Sequence, residues 1–191
     1  MPMVRASTSK PTVLVFAGPN GSGKTTITKN LPCCGTYVNA DDLKREYSLT
    51  DIEAAQGAEA LRNRLVEKKA DFTFETVLST ERNLLLLQKA KQNGYRVDCV
   101  YVLTCDANIN VARVKGRVRE GGHDVPEDKI RSRYSKALKL LPQLMDVCDR
   151  MLIYDNSLEE VSLVFEKVQN GGVFFPNATW PIEKLKALLE H

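Results

Sequence analysis

The segment that most constrains this chain is an apolar run that ends in a glycine-rich loop. Thr12-Val-Leu-Val-Phe-Ala17 reads as a short, buried central strand, and Gly18-Pro19-Asn20-Gly21-Ser22-Gly23-Lys24-Thr25 follows it directly. Lys24 onward, with Thr26 in the first turn, opens a helix expected to stop near Pro32. The spacing Gly-x4-Gly-Lys-Thr has a mechanical reason. The backbone must wrap closely around phosphate oxygens, in conformations that a side chain would obstruct. Its N–H groups and the start of the helix then attract the anion. Lys24 reaches the outer phosphates, and the Thr25 hydroxyl is offered to Mg²⁺. A strand before and a helix after are the context this motif needs. Gly18 to Thr26 are therefore candidate ATP-binding residues.

The remainder alternates strand and helix. Thr36-Tyr-Val-Asn39 is a short second strand, and Asp51 is placed to cap a helix to about Lys69, with Glu53, Glu59 and Arg62 on its polar faces. Asp71-Phe-Thr-Phe-Glu-Thr76 alternates as a strand does. Thr80 to Gln92 is helical by composition, turns Leu84–Leu87 toward the core and ends at Gly94. Tyr95 to Thr104 is a fourth strand and Met151-Leu-Ile-Tyr154 a fifth. Between them lie helices Ala107 to Arg119 and Pro126 to about Leu141, joined by Glu120-Gly-Gly-His-Asp-Val125. From Gly171 a short extended piece, Val173-Phe-Phe175, precedes a terminal helix after Pro181. This order predicts an α/β fold of the P-loop NTPase type: a mostly parallel five-stranded sheet flanked by helices, with a helical arginine-rich lid at about 113–134. Residues 12–191 read as a single domain behind a flexible tail at 1–11.

Charge and cysteine usage narrow the function classes. With 27 Lys and Arg against 24 Asp and Glu, a net charge of +3 leaves no basic footprint for nucleic acid. No run approaches the roughly 18 apolar residues of a membrane span. Residues 1–10 hold no apolar core of the kind a signal peptide carries. Cys33, Cys34, Cys99, Cys105 and Cys148 are odd in number and lack CxxC spacing, so free thiols and a cytoplasmic location are expected.

A phosphate cradle alone does not name a reaction, because motors, switches and kinases share it. There is no Leu-Ser-Gly-Gly-Gln-like stretch for a transporter ATPase and no Asn-Lys-x-Asp for guanine. A small-molecule kinase instead carries an acid after the second strand and an arginine-rich lid, and both are present. Asn39-Ala-Asp41-Asp42 follows the second strand, where a carboxylate can take the proton of an attacking hydroxyl. Asp41 is assigned that role as catalytic base, and Asp42 is read as a helix cap. Glu75, next to Thr76 at the end of the third strand, can hold a substrate hydroxyl or organise magnesium water. Arg82 is placed either near a substrate phosphate or on a solvated surface. Arg113, Arg117 and Arg119, then Arg131 and Arg133, flank the loop at 120–125. Arginine planes there can stack on adenine and fork onto the transferred phosphoryl group.

Taken together, Ala17-Gly-Pro-Asn-Gly-Ser-Gly-Lys-Thr-Thr26, Asn39-Ala-Asp41, Phe74-Glu-Thr76, Arg113-Val-x-x-Arg117-Val and Gly121-Gly-His-Asp-Val-Pro126 followed by Ile130-x-x-Arg133-Tyr134 resemble the zeta-toxin-like P-loop kinases, in particular their compact bacterial branch. The resemblance covers about residues 12 to 157. It implies a kinase using ATP and Mg²⁺, with Lys24 and Thr25 serving ATP and metal, Asp41 as base, Glu75 orienting substrate or metal, and Arg117 and Arg133 facing the phosphates. It also implies a nucleotide-sugar acceptor such as UDP-N-acetylglucosamine and a small antitoxin protein as partner. The competing readings are a kinase for an antibiotic or another small hydroxyl compound, and a nucleotide-binding interaction module with weak ATPase activity. Asp41 separates them, since a binding module needs no base.

Overall fold

The apolar run at the start of the chain becomes the middle of a sheet. A computed structural model describes residues 10–29, 31–168 and 171–190, so the expected tail at 1–11 lies mostly outside the described residues. Its strands are β1 (Thr12–Ala17), β2 (Thr36–Val38), β3 (Phe72–Thr76), β4 (Arg96–Leu103), β5 (Arg150–Asp155), β6 (Ser162–Val168) and β7 (Gly171–Phe174). Its helices are α1 (Lys24–Thr28), α2 (Ala40–Tyr47), α3 (Asp51–Glu67), α4 (Arg82–Gln92), α5 (Ala107–Arg119), α6 (Glu127–Lys139), α7 (Leu141–Val147) and α8 (Ile182–Leu189).

The sheet order is β2-β3-β1-β4-β5-β6-β7, with the first five strands parallel. The sheet has seven strands rather than the five expected, because β6 and β7 fold back antiparallel on β5. A register shift at Ile153/Tyr154 accompanies the β5–β6 pairing, and in β6 the buried Val164 and Phe165 are adjacent. Their adjacency breaks the alternation that marks a strand in sequence. Val13, Val15 and Ala17 on one face of β1 and Phe16 on the other are all buried, as a strand covered on both sides requires. Phe72 and Phe74 of β3 join the same core, each contributing roughly 1.5–3 kcal/mol by burial.

Several local expectations shift. The cap of α3 is Thr50, which accepts from the Glu53 amide while the Glu53 carboxylate accepts from the Thr50 amide at 2.8 Å. That capping box leaves Asp51 free to pair with Lys44 at 2.6 Å. In α4 Leu84, Leu86 and Leu87 are buried, but Leu85 points outward. The helix ends as expected, with Gly94 left-handed and the Tyr95 amide reaching back to the Ala90 carbonyl. Pro126 caps α6 from outside, and the helix ends at Lys139, with α7 following as an unforeseen separate turn. Arg62 does not lie on a polar face: it is buried, for a reason taken up below. The lid hairpin of α5 and α6 has a small core of its own, built from Val111, Val114, Val125 and Ile130.

Candidate active site

The glycine loop leaves the carboxyl end of β1, at the edge of the sheet where parallel strands present their ligands. Close packing dictates its glycines. Gly18 sits at φ 142°, and a Cβ there would lie 2.1 Å from the Val102 carbonyl oxygen of β4. Two buried asparagines, neither foreseen, then fix the loop's shape from the far half of the chain. The Asn110 amide donates to the Asn20 carbonyl at 2.6 Å, and the Asn156 amide to the Ser22 carbonyl at 2.8 Å. Thr104 donates to the Asn110 amide oxygen, and Arg113 to the Asn156 carbonyl at 2.7 Å. A buried amide must find partners, so a lone asparagine after an apolar strand was the one available signal.

Lys24 bends back over the loop and donates from Nζ to the carbonyls of Gly18 at 2.7 Å and Pro19 at 3.1 Å. Burial pushes its pKa down from 10.5 to about 8; nearby Glu75 pulls it back up, and Arg117 adds to the lowering. The ammonium is thus short of negative charge, which phosphate oxygens can provide.

A cleft of about 650 Å³ opens above the loop. It gathers Asn20, Gly21, Gly23, Lys24, Thr25 and Thr26 of the cradle with Asp41, Glu75, Thr76, Arg113 and Arg117. Gly18, Pro19 and Ser22 do not line it, and the Ser22 hydroxyl is buried with no partner among the described residues. Arg133 stands outside the lining but reaches the Asn20 side-chain oxygen at 3.3 Å. Arg82 is not brought to the cleft. It pairs with Glu59 at 3.3 Å in a surface groove beside Asn83 and Leu86, which corrects its placement beside a substrate phosphate.

The acids differ in their commitments. Asn39 caps α2 by accepting from the Asp41 amide at 2.9 Å, which sets Asp41 in the first turn facing the cleft. Asp42 is tied to Arg45 at 2.6 Å and is absent from the lining. Glu75 accepts from the Tyr37 hydroxyl at 2.8 Å. Tyr37 was not foreseen as part of the site; its phenol is pushed well above the ordinary tyrosine range by burial and then by that bond to Glu75. Thr76 lines the cleft, yet its hydroxyl already accepts from Asn83 at 2.8 Å and from the Leu78 amide at 2.9 Å. It therefore shapes the turn after β3.

The lid arginines divide in the same way. Arg113 and Arg117 face the cleft, and Arg117 also donates to the His123 carbonyl at 2.7 Å. Arg131 is spent on Glu127 at 2.7 Å. Among the described residues there is no group of three or more His, Cys, Asp or Glu side chains fit to hold a metal. Mg²⁺ at a phosphoryl-transfer site takes few protein ligands, the phosphates and water supplying the rest. Thr25 and Glu75, both in the cleft wall, are hard oxygen donors that fit that demand. No described helix is long and apolar enough to cross a membrane.

The family model for zeta toxins matches residues 36–167. An uncharacterised protein of Haemophilus influenzae is 31% identical over 127 residues, 63% of this chain and 91% of its own length. A chain of the AvrRxo1-ORF1:AvrRxo1-ORF2 structure with sulphate ions shares the fold at a TM-score of 0.72 and 17% identity, over 95% of this chain and 64% of that one. The same pair solved with ATP gives 0.71 and 16%, with the same coverage. The PezAT chromosomal toxin–antitoxin structure of Streptococcus pneumoniae gives 0.58 and 19%, over 85% and 72%. The chain thus spans about 64% of the length of the AvrRxo1 structures it matches.

Proposed function

The chain belongs to the zeta toxin family, and from that premise we propose that it is an ATP-dependent kinase that phosphorylates a hydroxyl of a small metabolite, a nucleotide sugar such as UDP-N-acetylglucosamine being the leading acceptor. The carrying observation is that one cleft is lined both by the cradle with its desolvated Lys24 and by Asp41, whose carboxylate forms no ion pair or side-chain hydrogen bond among the described residues. A module that only bound nucleotide would need no such acid.

In this reading the cradle amides and Lys24 hold the β- and γ-phosphates. Mg²⁺ would be held by Thr25, with Glu75 orienting metal water or substrate, and would supply neutralisation of the phosphate charge. Asp41 takes the proton of the acceptor hydroxyl while the new O–P bond forms and the bond from the γ-phosphorus to the β,γ-bridging oxygen breaks. Arg117 and Arg113 neutralise the equatorial oxygens from the lid side, and Arg133 steadies the loop through Asn20. Residues 12–191 act as one domain in this reading: a single core cluster runs from Val13 to Leu189. A cytoplasmic site of action and a small antitoxin-type protein as partner belong to the same proposal, the latter supported by the toxin–antitoxin system named for the PezAT neighbour.

The test is transfer of label from γ-labelled ATP with Mg²⁺ to a panel of nucleotide sugars, free sugars and hydroxylated antibiotics. Label on a nucleotide sugar is the expected result. Label on an antibiotic alone would replace the acceptor class, and label released only to water would overturn the kinase reading in favour of a nucleotide-binding module.

A further inference from the structure

A buried cation in the cleft wall has no part in the chemistry above. Arg62 of α3 is only 8% exposed, and its guanidinium lies 5.1 Å above the ring centre of the fully buried Phe74. Its Nε has no hydrogen-bond partner among the described residues, and none of their carboxylates forms an ion pair with it. The nearest acid in sequence, Glu59, is bonded to Arg82 instead. Guanidinium stays charged at neutral pH, and a buried cation over an aromatic ring, with only Glu59 (itself bonded to Arg82) to attract it, is under-compensated. Packing alone does not call for it, since an apolar side chain would cover Phe74 at less cost.

Its place in the fold says which ligand it awaits. The cradle follows β1, and Arg113 and Arg117 come from the helix after β4, on one side of β1. Arg62 opens on the same cleft from the other side, over Phe74 of β3. That is the flank of Asp41 and Glu75, where the acceptor rather than the nucleotide must lie. Five donors in a rigid fork suit a planar or tetrahedral oxyanion.

We propose that Arg62 is a specificity-determining residue that binds an oxyanion group of the acceptor, a phosphate ester or a carboxylate, separate from the hydroxyl that is phosphorylated. The proposal rests on the kinase reading for the word acceptor, but the anion site itself does not. It excludes neutral sugars and cationic antibiotics as good substrates, because they leave the guanidinium unpaired.

The test titrates inorganic phosphate and acetate separately into the full chain, with and without the non-hydrolysable nucleotide AMP-PNP and Mg²⁺ filling the cradle. The readouts are the unfolding midpoint and, for phosphate, the ³¹P line width. The loaded protein should bind at least one anion, and which one tells a phosphate ester from a carboxylate. Arg62→Gln should weaken that binding about 10- to 100-fold while AMP-PNP affinity stays unchanged. Arg62→Lys, which keeps the charge but loses the fork, should weaken it less; it carries the comparison alone if the glutamine variant does not fold. A packing role only would lower the unfolding midpoint of Arg62→Gln and leave its anion response intact, which overturns the proposal. So would a loaded wild type that binds neither anion. If AMP-PNP itself fails to bind, the kinase reading falls, whereas an anion response of the unloaded protein that depends on Arg62 still upholds the site.

Discussion

Replacing Lys24 by methionine should leave the nucleotide-free protein as stable as before or more so, while removing most of its grip on ATP. Burial lowers the lysine's pKa from 10.5 to about 8, which is worth roughly 3 kcal/mol against the charged form in the folded state. The two bonds to the Gly18 and Pro19 carbonyls return part of this, and losing them costs about 1–3 kcal/mol. At pH 7 the variant should therefore lie between neutral and about 2 kcal/mol more stable, a rise of up to several degrees in unfolding midpoint for a domain of this size. The pH dependence gives a second handle. Folded Lys24 releases its proton near pH 8, whereas the unfolded chain keeps it to about 10.5. Between those values the unfolded state binds more protons, so wild-type stability rises with pH by roughly 3 kcal/mol through this one group. The difference between wild type and Lys24→Met, measured by denaturant unfolding at pH 7, 8, 9 and 10, should move by that amount in favour of wild type. ATP affinity, read by calorimetry, should fall about 10- to 150-fold from the lost charge-assisted contacts. A variant that unfolds clearly earlier at pH 7, or that binds ATP as wild type does, would refute the argument. Lys24 would then be a strut for the loop and not a cation held in waiting.

Three further outcomes are expected. Asp41→Asn should lower single-turnover phosphoryl transfer about 10²–10⁴-fold with ATP affinity unchanged, while Asp42→Asn, whose side chain is tied to Arg45, should do far less; the larger loss at Asp42 would reverse the assignment. Gly18→Ala should destabilise the fold by at least about 2 kcal/mol, read as a lower denaturant midpoint at unchanged slope, because its Cβ would meet the Val102 carbonyl and its φ is 142°. Amide exchange across 113–133 should slow when AMP-PNP and Mg²⁺ bind, and unchanged exchange there would remove the lid from the mechanism.

What the sequence made legible was whatever rests on local spacing. The strand–loop–helix of the cradle, the strand ends carrying Asp41 and Glu75, and the hairpin of lid helices each depend on residues close together in the chain. What it hid depends on distant partners. Asn110 and Asn156 look like ordinary polar residues until the loop carbonyls they serve are brought beside them. Tyr37 reads as a strand residue, and only the pairing of β2 with β3 sets its hydroxyl on Glu75. Arg62 was assigned to a polar face because α3 alternates too weakly to show which side meets Phe74. Arg82 failed in the opposite sense: its position after β3 suggested the site, but the turn held by Thr76 carries it to the outer surface.

The asparagine clamps also bear on the order in which a working site comes into being. Asn110 lies 90 residues beyond the carbonyl it holds, and Asn156 lies 134 beyond its own. A chain growing from its amino end exposes the cradle sequence first and acquires the clamps last. Lys24 and Asn110 can reach the Gly18, Pro19 and Asn20 carbonyls earlier, but until β5 is in place the Ser22 carbonyl has no clamp. A copy interrupted before residue 156 would carry every letter of the phosphate-binding motif with one of its two asparagine clamps missing. In a family named for toxins, the phosphate-binding motif would thus be made well before the residues that shape it.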